Sequence, residues 1–130
     1  MPKEVVCVPV ISEALEKAGI PLSAAISAGG FVFVSGTPPI DPKTGTLVPG
    51  DITTQTEACL EGLKATLEAA GSSLAKVVKV TVYASNSAYY GTINTVYARY
   101  FPKEPPARTF VTVASWPMEF DIEIECTALA

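Results

Sequence analysis

A chain of 130 residues is most simply one domain, 1–130, and with 48% hydrophobic residues it can bury roughly two-thirds of its unfolded surface. Its net charge of −4, with no cluster of Lys or Arg, argues against nucleic acid or an anionic membrane as the main partner. Histidine is absent, which removes the commonest general base, the commonest metal ligand and any Ser–His or Cys–His pair.

Residues 4–10, EVVCVPV, read as a short strand that Pro9 confines to a sheet edge. EALEKAG, residues 13–19, is too short to assign as a helix. Residues 24–28 and 31–35 read as a hairpin turning at Gly29-Gly30. PPIDPKTGTLVPGD, residues 38–51, is a proline-rich loop containing an Asp-Pro-x-Thr-Gly turn.

Residues 52–70 give the clearest helix. Ile52, Cys59, Leu60, Leu63, Leu67 and Ala70 recur at helical steps, and Gly71 supplies the stop. Asp51 caps it, or Thr54 does with Glu57 completing a capping box. KVVKVTVYA, residues 76–84, alternates as a half-buried strand, with Val78, Val80 and Val82 on one face. A second helix spans about 87–101, capped by Asn86 or Ser87 and ended by Pro102. Residues 108–115 and 120–128 are two more strands. In the last, Phe120, Ile122, Ile124 and Cys126 oppose Asp121, Glu123, Glu125 and Thr127.

The order β-β-β-α-β-α-β-β predicts an α+β domain: a six-stranded mixed sheet with two helices on one face. Two helices cannot cover both faces, so the other face is expected to meet a second subunit. Cys7, Cys59 and Cys126 are odd in number and widely spaced without a CxxC. They read as buried thiols of a reducing compartment, not as a disulfide framework or zinc site. No leader or membrane span is expected from MPKEVVCVPV or from any apolar run, so a cytoplasmic location is the default.

Chemistry must therefore run on carboxylates, arginine, hydroxyls and water. Asp121, Glu123 and Glu125 form a row in which like charges raise one another's pKa. The row is either a solvated face or a crevice where Glu123 acts as proton donor or water-positioning group. Arg108, after a Pro-Pro pair at a strand mouth, either pairs with Glu123 or Glu125 or offers its planar fork to a ligand carboxylate.

PPART followed by a strand, WP and IEIEC resembles the RidA/YjgF family of enamine/imine deaminases, in which P-A-R-[ST] precedes L-P and [VI]-E-I-E-A. FVFVSGTPPIDPKTGTLVPGD, the AAGSSL–VVK–VTV segment and INTVYARYF are similar to further family motifs, so the resemblance covers roughly residues 20–129. It implies a chorismate-mutase-like fold, a homotrimer with clefts between subunits, and no cofactor or metal. It further implies that Arg108 binds a substrate carboxylate, Glu123 orients or protonates with a water, Ser35-Gly36-Thr37 lines the cleft, and Asn94 lies nearby. The implied reaction is hydrolysis of 2-aminoacrylate-type enamines and imines to a 2-oxo acid and ammonia. Orientation plus acid catalysis worth roughly 10²–10⁴-fold would suffice.

Three positions depart from that pattern. Leu22 stands where the family has a tyrosine, Phe110 where cysteine is frequent, and Trp116 where leucine precedes Pro117. They point to drift with repacking, to a bulkier or more apolar substrate or an aminomuconate-type ring-cleavage product, or to a carboxylate-binding trimer without turnover.

Overall fold

The computed structural model describes residues 2–130. The elements run β1 (Glu4–Val6), α1 (Ile11–Lys17), β2 (Ala25–Ala28), β3 (Phe31–Thr37), α2 (Ile52–Ala69), β4 (Val77–Ala84), α3 (Tyr90–Tyr100), β5 (Ala107–Thr112) and β6 (Ile122–Leu129). Single 3-10 turns occupy Leu74–Lys76 and Ser87–Tyr89. The strands form one sheet in the order β1-β2-β3-β6-β4-β5. Every neighbouring pair is antiparallel except β4 and β5. A parallel pair needs a crossover, and α3 supplies it.

The helical layer follows from α2. Asp51 Oδ1 accepts a hydrogen bond from the Thr54 backbone N–H at 2.9 Å, so Asp51 is the cap and the Thr54–Glu57 capping box is not formed. Leu60, Leu63 and Leu67 then fall on one stripe and are fully buried, together with Ile93 of α3 and Val80, Val82, Ile122 and Ile124 of the sheet. Truncating one of these leucines to alanine would cost about 2–5 kcal/mol. At Gly62 the missing side chain lets α2 close on the sheet: a Cβ there would stand 3.0 Å from Thr37 Cγ2.

Among the described residues no helix covers the opposite sheet face. It exposes Phe31 (39%), Phe33 (45%) and Leu129 (47%), a patch an ordinary monomer covers.

Several local expectations are corrected. Residues 11–17 do form a helix, because Ser12 Oγ accepts from the Val8 N–H at 2.8 Å and Gly19 takes φ +67° to end the turn. The first strand stops at Val6. Val78 does not share the face of Val80 and Val82, since a bulge between Val77 and Lys79 turns it out to 40% exposure. Asn86 caps a 3-10 turn, and the α-helix proper starts at Tyr90. Strand β5 ends at Thr112, not at residue 115. Cys59 and Cys126 are buried, but Cys7 is exposed.

Candidate active site

The chemistry-bearing residues gather in two places. The first is a break in the sheet. Val34 pairs with Cys126 and Thr37 with Ile124, so β3 carries one extra residue opposite β6, and Ser35-Gly36 bulge out of the ladder. Glu123, on β6, fills the space this leaves. A Cβ built on Gly36 would overlap Glu123 Oε1 and stand 2.8 Å from its Cδ, so only glycine lets the carboxyl lie against the β3 backbone. The bulge is pinned by its own hydroxyls: Ser35 Oγ donates to the Ser23 carbonyl at 2.6 Å and Thr37 Oγ1 to the Ser35 carbonyl at 3.0 Å.

A cleft of about 470 Å³ opens from this point toward α1 and the loop 38–47. Leu22, Ser35, Gly36, Thr37, Pro117 and Glu123 all line it. A more open depression of about 620 Å³ lies beyond Leu22 and does not reach Glu123. Burial raises the Glu123 pKa, and the neighbouring Glu125 carboxylate adds to the effect. Glu123 thus holds a proton to higher pH than an exposed glutamate. Burial also lifts Cys59 well above an ordinary thiol, so it is no nucleophile at neutral pH.

The predicted row of three carboxylates separates into three roles. Asp121 accepts from Ser85 Oγ at 2.9 Å and from Gln55 Nε2 at 3.1 Å, tying the start of β6 to β4 and α2. Glu125 accepts from the Tyr83 hydroxyl, and that bond raises the Tyr83 pKa. Glu123 alone faces the cleft.

The second place is the β5–α3 corner. Arg108 forms no ion pair with Glu123 or Glu125; among the described residues the one ion pair is Arg99–Glu57, at 3.6 Å on the surface. The Arg108 guanidinium instead lies 4.7 Å from the Tyr97 ring centroid and 5.6 Å from that of Tyr90. Phe110 meets Tyr90 edge-on at 5.0 Å. Asn94 lies on the same helical stripe as Tyr90 and Tyr97, and both its Oδ1 and the Tyr97 hydroxyl are buried without a hydrogen-bond partner. Burial pushes the Tyr97 pKa up to about 12, against the pull of Arg108, so the phenol stays protonated.

Of the sequence-predicted residues, six meet at the cleft and three (Arg108, Asn94, Phe110) at the corner. Trp116 joins neither: it stacks on Phe120 at 4.8 Å. Sequence reading missed Tyr90 and Tyr97 as the wall behind Arg108. The signal was present, because the crossover helix between two parallel strands packs back onto their sheet. It also missed the apolar cleft wall from α1 and the loop 38–47.

The family model described as Endoribonuclease L-PSP matches residues 11–130. A RutC family protein of Pyrococcus horikoshii is 52% identical over 108 residues, covering 83% of this chain and 86% of its own. Reactive Intermediate Deaminase A, chloroplastic, of Arabidopsis thaliana is 41% identical over 108 residues, 83% of this chain and 58% of its own. The solved structure of YyfA from Yersinia pestis, a protein of unknown function of the conserved Rid family, superposes with a TM-score of 0.88 at 36% identity, covering 99% of this chain and all of that one.

Proposed function

Since this chain belongs to the Endoribonuclease L-PSP (RidA/YjgF) family, we propose that it is a hydrolytic deaminase of carboxylated enamines and imines of the 2-aminoacrylate type. In this reading it works in the cytoplasm as a homotrimer, without cofactor, metal or nucleic acid. Each site is shared between two protomers: the β5–α3 corner of one and the cleft of the next. The apolar sheet face with Phe31, Phe33 and Leu129 would be buried in the assembly.

Arg108 carries the reading. A half-buried guanidinium backed by two tyrosine rings, with no carboxylate paired to it, is positioned for an anion from outside its own protomer. It would hold the substrate carboxylate in a bidentate grip. Glu123, protonated more readily than an ordinary glutamate, would give its proton to the enamine β-carbon, producing the iminium acid. The resulting carboxylate then takes a proton from the attacking water. Glu123 then passes that proton to the amine, which leaves as ammonia while the hydroxyl proton of the adduct returns to Glu123; the 2-oxo acid remains, one water is consumed and the carboxyl ends protonated as it began.

The test is the rate of 2-oxo acid formation from enamines generated in situ. Arg108→Ala is expected to lower kcat/KM at least about thirtyfold, the usual effect of truncating a desolvated charge contact. A variant matching wild type on every accepted substrate would overturn the role given to Arg108.

A second reading, a carboxylate-binding trimer without turnover, is favoured by one observation: Leu22, with no hydroxyl, lines the cleft where the family pattern has tyrosine. Binding of 2-oxo acids with no acceleration over buffer would establish it. An aminomuconate-type substrate is a variant of the first reading. An RNA-cleaving role, which the family model's description names, sits poorly with the acidic net charge.

A further inference from the structure

We infer that the cleft beside Glu123 is a side-chain pocket, and that this protein prefers imines of 2-oxo acids bearing a branched aliphatic or aromatic group over the methyl-sized frame of 2-aminoacrylate. The inference rests on the deaminase reading and adds the substrate class to it.

The pocket's walls are apolar. Ala14 and Leu15 come from α1, Ile20 and Leu22 from the segment after it, and Ile40 and Leu47 from the proline-rich loop. The rim is Pro117 and Met118. Its hydroxyls are already engaged with backbone: Ser35 Oγ on Ser23 O at 2.6 Å, Thr37 Oγ1 on Ser35 O at 3.0 Å, and Thr66 Oγ1 on Gly62 O at 2.9 Å. With those protons committed, the hydroxyls can only accept, and Glu123 is the one ionisable side chain on the wall. A molecule reacting at Glu123 therefore meets a mostly hydrocarbon wall beyond it.

Size points the same way. In the single protomer the cleft measures about 470 Å³, more than a three-carbon enamine fills before the next protomer's corner is seated, since a water-sized group takes roughly 30 Å³. The exposed sheet-face residues Phe31, Phe33 and Leu129 do not line it. Leu22 fits the same account, because it removes a hydroxyl from the pocket wall.

The test has a binding arm and a turnover arm. Calorimetry compares pyruvate with 4-methyl-2-oxopentanoate. Each buried methylene is worth about fourfold in affinity, so the longer acid is expected to bind at least tenfold tighter. Equal affinities would overturn the pocket. In turnover, imines made by an amino-acid oxidase from leucine and from alanine are compared by kcat/KM. Ala14→Trp, which fills the far wall, is expected to lower the leucine-to-alanine preference at least tenfold; an unchanged preference overturns the inference. Should Ala14→Trp fail to fold, Met118→Trp at the rim is read by the same ratio. Pocket and reaction fail separately. Tight binding of the longer acid without acceleration of either imine rejects the deaminase and keeps the pocket; acceleration without preference does the reverse.

Discussion

Arg108 and Glu123 project from opposite faces of the same sheet. Arg108 stands in register with the buried Val80 and reaches toward α3, whereas Glu123 stands beside Tyr83 on the face without helices. In the deaminase reading, neighbouring protomers bring the two onto one small molecule. The proposed assembly that joins the two is the premise of the complementation test below.

Gly36→Ala should separate chemistry from stability. The new Cβ overlaps the Glu123 carboxylate, whose side chain can swing into the open cleft. The cost to folding should be about 1–3 kcal/mol. Displacing the acid by about an ångström should lower kcat/KM by around a hundredfold. Thermal unfolding and turnover on the same preparation check this; full activity in a folded variant contradicts the placement of Glu123.

The raised pKa of Glu123 makes a signed prediction. A carboxyl whose folded pKa exceeds its unfolded value stabilises the fold at low pH, and that contribution is lost as pH rises through the folded value. Glu123→Gln, which carries no charge, should therefore melt higher than wild type at pH 7–8. The gap should close as pH falls below the ordinary glutamate value near 4.5. A variant that melts lower than wild type at pH 7–8 would show Glu123 to be stabilised as an anion.

Tyr97→Phe removes a buried hydroxyl that has no partner in the protomer. Such a group costs about 1–3 kcal/mol to bury, so the variant should be at least as stable as wild type, while Arg108 keeps its aromatic wall. If the hydroxyl meets substrate or a neighbouring protomer, activity falls about tenfold even though Tm does not. A fall in Tm for a preparation held monomeric would show an internal partner.

Much of this was legible in the chain. The stripe Cys59-Leu60-Leu63-Leu67 and the alternation of Ile122, Ile124 and Cys126 each state a period, and both elements formed where that period lies. Features set by a single residue out of register were not legible: the bulges at Ser35-Gly36 and Val78 change which side chains face the helices without altering composition. Helix α1 was hidden because seven residues give too few turns for a pattern, although Gly19 marked its end. The motif around PPART and IEIEC named Arg108 and Glu123, but no spacing rule says that two such residues point apart. That follows from the parallel pairing of β4 and β5, which fixes Arg108 against α3.

The most direct measurement is subunit complementation. Arg108→Ala and Glu123→Gln proteins, each inactive alone, are unfolded together in equal amounts and refolded. If every site takes its arginine from one protomer and its glutamate from the next, a random mixture restores about a quarter of the sites, and about a quarter of wild-type turnover should return. A mixture as inactive as its two components would mean that both residues are needed from the same chain, and the shared site would be wrong.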